Sequence, residues 1–90
     1  MSWFSKIFGG GKPEPEPVVH KGFRITPAPE TGQGGFRVGA RIEFDADGET
    51  RTHRMIRADV CQSAEEAERV SVLKAKMLID QLGDGIFDGR

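Results

Sequence analysis

The sequence has one cysteine, Cys61, which excludes an intramolecular disulfide and fits a reducing compartment. It has almost no net charge. Thirteen lysines and arginines against 14 aspartates and glutamates leave −1, so nucleic-acid binding over the whole surface gets no support and any such contact needs a local patch. It has no apolar run long enough to span a bilayer. His20, His53 and Cys61 are not at metal-ligand spacing, and "GDGIFDGR", with Asp84 and Asp88, is incomplete as a calcium loop. No nucleophile elbow, phosphate loop or paired-carboxylate cleft can be built, and the "GQGG" at 32–35 reads as a flexible turn. The expectation is a chain without catalytic residues, bound metal or cofactor.

What is present begins with "FRVGARIEFDADGETRTHRMIRADV", residues 36–60, where Phe36, Val38, Ala40, Ile42 and Phe44 alternate with Arg37, Gly39, Arg41 and Glu43. That alternation is a half-buried strand. The run after it carries Thr50, Thr52, Ile56, Ala58 and Val60 on one parity and Arg51, His53, Met55 and Arg57 on the other. A two-residue Asp47-Gly48 turn would pair Phe44 with Arg51 and mix core with charge, and a one-residue change of register exchanges the faces. The expected turn is therefore a three-residue loop, Ala46, Asp47 and Gly48, with Gly48 left-handed in a bulged turn. It pairs Phe44 with Thr50, Ile42 with Thr52, Val38 with Ile56 and Phe36 with Ala58, and leaves Arg54 opposite Ala40 on the core face, its stem snorkelling outward. The outer face then pairs Glu43 with Arg51, Arg41 with His53, Gly39 with Met55 and Arg37 with Arg57. Arg24 of the preceding strand joins them. Arg24, Arg37, Arg41, Arg51, His53 and Arg57 form a candidate anion site, since guanidinium groups match phosphate and carboxylate geometry. The alternative is a solvated face in which Arg37 reaches Asp59 and Arg41 reaches Glu43 or Asp45.

Upstream, "HKGFRITPAPE" reads as a first strand with Phe23 and Ile25 inward, stopped by Pro27 and Pro29. Downstream, Ser63 followed by Glu66 is a capping box, and Gly83 stops the helix. Ala67, Val70, Leu73, Lys74, Met77 and Leu78 form the stripe expected to cover the sheet. Val72, Ala75, Ile79 and Leu82 form a second arc, a candidate homodimer surface if neither the N-terminal segment nor Ile86 and Phe87 covers it. The predicted fold is α+β: a three-stranded antiparallel meander packed on one C-terminal helix, β-β-β-α, over residues 18–83, with residues 84–90 as a tail.

Residues 1–17 stand apart. "MSWFSKIFGGGKPEPEP" puts Trp3, Phe4, Ile7 and Phe8 on one side of two helical turns, followed by a glycine hinge and a stiff Pro/Glu spacer. Such an aromatic segment suits a membrane interface or a partner protein. It lacks the apolar region and cleavage site of a signal peptide, and Ser2 stands where myristoylation needs glycine.

The stretches "MSWFSKIFGGG", "KGFRITPAP", "GGFRVGARIE", "DGETRTHRMIRAD", "SAEEAE" and "KAKMLIDQLGD" together resemble, over nearly the whole chain, the small bacterial family labelled HlyU, described as transcriptional activators of haemolysin expression. The resemblance implies a bacterial, cytoplasmic, non-enzymatic gene regulator and supplies no set of functional residues. One long helix makes no helix-turn-helix, so DNA would be met by the sheet, its arginines touching phosphates or guanine edges. The alternative function is an interaction module without a nucleic-acid role, tethered through the aromatic segment to a partner or to the inner face of the membrane.

Overall fold

The structure, a computed structural model, describes residues 16–32 and 34–88. Trp3, Phe4, Ile7 and Phe8 lie outside the described residues. Among the described residues the fold is α+β, an antiparallel sheet packed on one C-terminal helix, with five strands instead of the expected three. They are β1 (Val18–His20), β2 (Phe23–Pro27), β3 (Glu30–Gly32), β4 (Gly35–Ala46) and β5 (Glu49–Cys61), followed by α1 (Ala64–Leu82) and a 3-10 segment, Gly83–Asp88.

The two additional strands are three residues each, too short to show a period. β1 is folded back on β2 by Lys21 and Gly22, both with positive φ (54° and 86°), the backbone of a type I′ turn. β3 continues along β4 past the prolines. Ala28 N–H donates to Gly39 O at 2.9 Å, so the adjacent Pro27/Ala40 pair is of the non-hydrogen-bonded kind and turns the proline nitrogen away from β4. β1 pairs only as far as Ile25, so that nitrogen forgoes no ladder bond.

The hairpin register is a correction. Ala46 pairs with Glu49, and Asp47 (φ 55°) and Gly48 (φ 79°) form a two-residue type I′ turn. Phe44 therefore faces Arg51, Ile42 faces His53, Ala40 faces Met55 and Gly39 faces Ile56. The three-residue loop assumed that burial fixes β5. β5 is an edge strand that buries only Met55 and Cys61, so the Asp-Gly turn sets its parity. Farther along the register shifts, with Arg37 opposite Val60, Phe36 opposite Cys61, and residues 57–59 of β5 without a β4 partner.

Phe23 and Ile25 of β2 and Val38, Ala40 and Ile42 of β4 fill the core under α1. Removing Ile25 or Ile42 from water stabilises the fold by roughly 1.5–3 kcal/mol each. Ser63 caps α1 by accepting from Glu66 N–H (3.1 Å), and Glu66 Oε1 accepts in turn from Gln62 N–H (3.4 Å). The buried stripe, however, is Ala67, Ser71, Ala75 and Ile79, whereas Leu73 and Met77, expected against the sheet, are 56% and 47% exposed. Small residues at every fourth position let the helix backbone approach the sheet. Ala75 and Ile79 are thus spent on the intrachain core and half of the expected dimer surface is gone. Ile86 is buried and the Phe87 ring lies 6.1 Å from that of Phe23, so the segment read as a tail packs on the domain.

The β1–β2 turn is clamped to the helix by Asp80, which takes Lys21 Nζ and His20 Nε2, each at 2.9 Å. The Lys21 bond first, then that of His20, hold the Asp80 carboxyl below its ordinary value of 3.8. A lowered folded value means that the stabilisation is complete above the unfolded value and lost as pH falls through the folded one. Wild-type Tm is expected to drop on acidification below about pH 4. D80N should start lower at neutral pH and lose less over that range. Melting curves against pH check it, and parallel wild-type and D80N profiles would remove the clamp from the account.

Candidate nucleic-acid interface

The face of the sheet away from α1 is open, and the observed register writes it as cross-strand rows: Arg24, Glu43, Thr52; then Thr26, Arg41, Arg54; then Gly39 and Ile56; then Glu30, Arg37, Val60. Of the six residues expected on it, Arg24, Arg37 and Arg41 are there. Arg51 and His53 are not, because the turn puts their parity on the helix side, and Arg57, in the stretch without a β4 partner, lines the flank beside Arg37 and Val60. Arg57 shares Asp59 with Lys74, at 3.6 and 3.7 Å. Arg54, expected on the core face, takes their place. It stands directly opposite Arg41, so the like-charge pair on this face is Arg41 and Arg54 and not Arg37 and Arg57.

Most of these arginines are tied. Arg24 donates through both terminal nitrogens to Asp45, at 2.7 and 3.3 Å, and lies 3.9 Å from Glu43. The Arg24 bond, with a Thr50 hydroxyl donating at 2.7 Å, holds the Asp45 carboxyl below its usual range. Arg41 Nε lies 3.7 Å from Glu43, and Arg54 donates to Glu30 at 3.4 Å across the width of β4. Glu30 is the direct neighbour of Arg37, yet Arg54 takes it. Arg37 is exposed and has no ion pair among the described residues. The outer face carries four arginines against Glu30, Glu43 and Asp45, a positive excess in a chain whose net charge is −1.

Gly39 leaves the space between the arginines bare. A groove of about 200 Å³ runs there, walled by Arg37, Arg41, Arg54 and Glu30 with Gly39 and Ile56 beneath. The backbone on either side also favours glycine, since a Cβ would stand 3.1 Å from Ala28 O and 3.2 Å from Met55 O, closer than side chains ordinarily pack. Its N–H donates to Ser71 Oγ at 3.1 Å, which anchors the groove floor to α1. Beyond it Ile56, Ala58 and Val60, expected inside, give the open face an apolar flank. The sequence signal for Arg54 is the Asp47-Gly48 dipeptide, which sets the parity of the β5 residues that follow it, whereas Glu30, on a three-residue strand, carries no such signal.

Burial pushes the Cys61 thiol up, with Glu66 and Asp59 adding to it, so the sulfur stays protonated and is a poor nucleophile. No group of three His, Cys, Asp or Glu side chains capable of holding a metal ion occurs among the described residues, and no helix there is long and apolar enough to cross a membrane. These features define a small α+β domain with one face closed by a helix and the other left open and rich in arginine. The family model described as Transcriptional activator HlyU matches residues 2–87, and the chain belongs to that family. It is a family of transcriptional regulators rather than of enzymes. Neither a curated protein nor a solved structure matches the chain.

Proposed function

We propose that the chain regulates transcription by meeting the DNA backbone with the open face of its sheet, Arg37 making the principal contact. The observation that carries this reading is the arrangement around Arg37: an exposed guanidinium without an ion pair among the described residues, beside a bare groove whose other arginines are held in place by carboxylates. A free guanidinium gives its charge to a phosphate without first leaving a partner, and it offers two parallel N–H bonds. Arg24 and Arg41 shape the surface more than they bind. So small a footprint neutralises few phosphates, so affinity should be modest and fall with salt.

Fluorescence anisotropy with a duplex, repeated over a range of salt, tests this. R37A should weaken binding about fivefold to tenfold and lower the salt slope by about 1. E30Q should strengthen it by releasing Arg54. R69A, exposed on the helix, should do nothing. R37A and E30Q that both bind like wild type would remove the open face from the mechanism.

A further inference from the structure

β5 is the longest strand, 13 residues, and among the described residues it pairs on one side only. In a two-residue hairpin the residues flanking the turn form the hydrogen-bonded pair, so 49, 51, 53 and 55 turn their backbone groups toward β4. Thr50, Thr52, Arg54 and Ile56 turn theirs to the open edge. Residues 57–59 have no β4 partner either. An edge of this length is a template for another strand, and proteins that avoid such pairing shorten or cover it. Here α1 lies mainly over β4 and β2 and touches β5 less, and among the described residues no strand pairs with the outer edge of β5.

The side chains say which strand would fit. The midpoint of Glu49–Cys61 is Met55, so an antiparallel copy in full overlap places Arg51 opposite Asp59 twice, once on each side of the two-fold axis. In the same register Thr50 meets Val60, Thr52 meets Ala58 and Arg54 meets Ile56, the arginine stem covering an isoleucine that is 59% exposed. The neighbouring same-face registers put Arg51 opposite Arg57 or Cys61. Arg51 has no ion pair among the described residues, and the Arg57 and Lys74 contacts to Asp59 are long, 3.6 and 3.7 Å.

We propose that β5 is an interface for a second copy of this chain, paired antiparallel about Met55 with Arg51 of each copy opposite Asp59 of the other. The two sheets become one continuous sheet. Both helices lie on one side of it and both open faces on the other.

Sedimentation equilibrium of the full chain tests the pairing. Wild type should be a dimer. R51D and D59R should each raise the dissociation constant about tenfold or more, because each change acts twice and turns attraction into repulsion. The R51D/D59R chain should recover wild-type affinity to within a few-fold. R51D disturbs no ion pair described within its own chain, so it carries the test even where D59R lowers thermal stability. A monomeric wild type at the highest soluble concentration overturns the proposal. So does an R51D chain that dimerises as wild type does, or a double variant no better than either single change.

Discussion

Replacing Gly35 with alanine should cost the domain about 3 kcal/mol or more, a large share of what a chain of this size has. Gly35 opens β4 with φ 147°, a conformation L residues rarely adopt. An alanine Cβ there would be driven into the backbone carbonyl of Cys61, with Val60 Cγ1 at 3.1 Å and the Cys61 carbonyl carbon at 3.2 Å. Backbone cannot swing aside as a side-chain tip can. The cause lies in β5, whose extra residues carry its end back against the start of β4 at the Phe36/Cys61 pair. Thermal unfolding followed by circular dichroism should show a Tm lower by about 15 °C or more. Gly32, its partner across the β3–β4 ladder, is the control: a Cβ there meets nothing within 4 Å, and G32A should stay within about 0.5 kcal/mol of wild type. A G35A domain as stable as G32A would mean that the two strand ends do not meet this closely.

The second large effect is expected at Ser71, a polar residue with no exposed surface. Its Oγ accepts from Gly39 N–H at 3.1 Å and donates to Ala67 O at 2.6 Å, so one hydroxyl joins the helix to the central strand. S71V removes the acceptor, leaves a buried N–H without it, and adds volume where helix and sheet are closest. The combined loss should be about 3 kcal/mol. S71A removes the hydroxyl without adding volume and should lose about 1–2 kcal/mol. Urea unfolding separates the two contributions if m is unchanged. S71A and S71V both matching wild type would show that this hydrogen bond does not hold the layers together.

The layers and the helix were legible because their signals are local and strong. Alternation from Phe36 to Phe44 marks the central strand, and Ser63 with Glu66 marks the start of the helix. The register of β5 was not legible by the rule applied to it, which is that apolar residues go inside. Ile56 and Val60 stay out because an edge strand far from the helix axis gains little by turning them in, whereas Asp47 and Gly48 accept the left-handed turn at almost no cost. The error propagates at period two. Arg51 and His53 move to one face together, and Arg54 moves to the other. Arg24, Arg37 and Arg41 were placed correctly, since their parity rests on the buried strands β2 and β4. The helix stripe differs for a similar reason of size: Leu73 and Met77 outweigh Ala67 and Ser71 in hydrophobicity, but only the small residues fit where backbones nearly touch.

The bond between Gly39 and Ser71 also bears on how the chain reaches this arrangement. β1, β3 and β4 are each followed in sequence by the strand they pair with, and β2 and β3 lie in succession along one side of β4, so the sheet can close through short loops without a large loss of chain entropy. Speed of that kind brings ambiguity, because a polar edge strand such as β5 tolerates a slip that a buried one would not. The helix follows the sheet in the sequence, and its Ser71 bond needs a strand that already presents the Gly39 amide. Only when β4 turns the Gly39 amide downward can Ser71 find it, and only then can Ala67 and Ala75 settle against the strands.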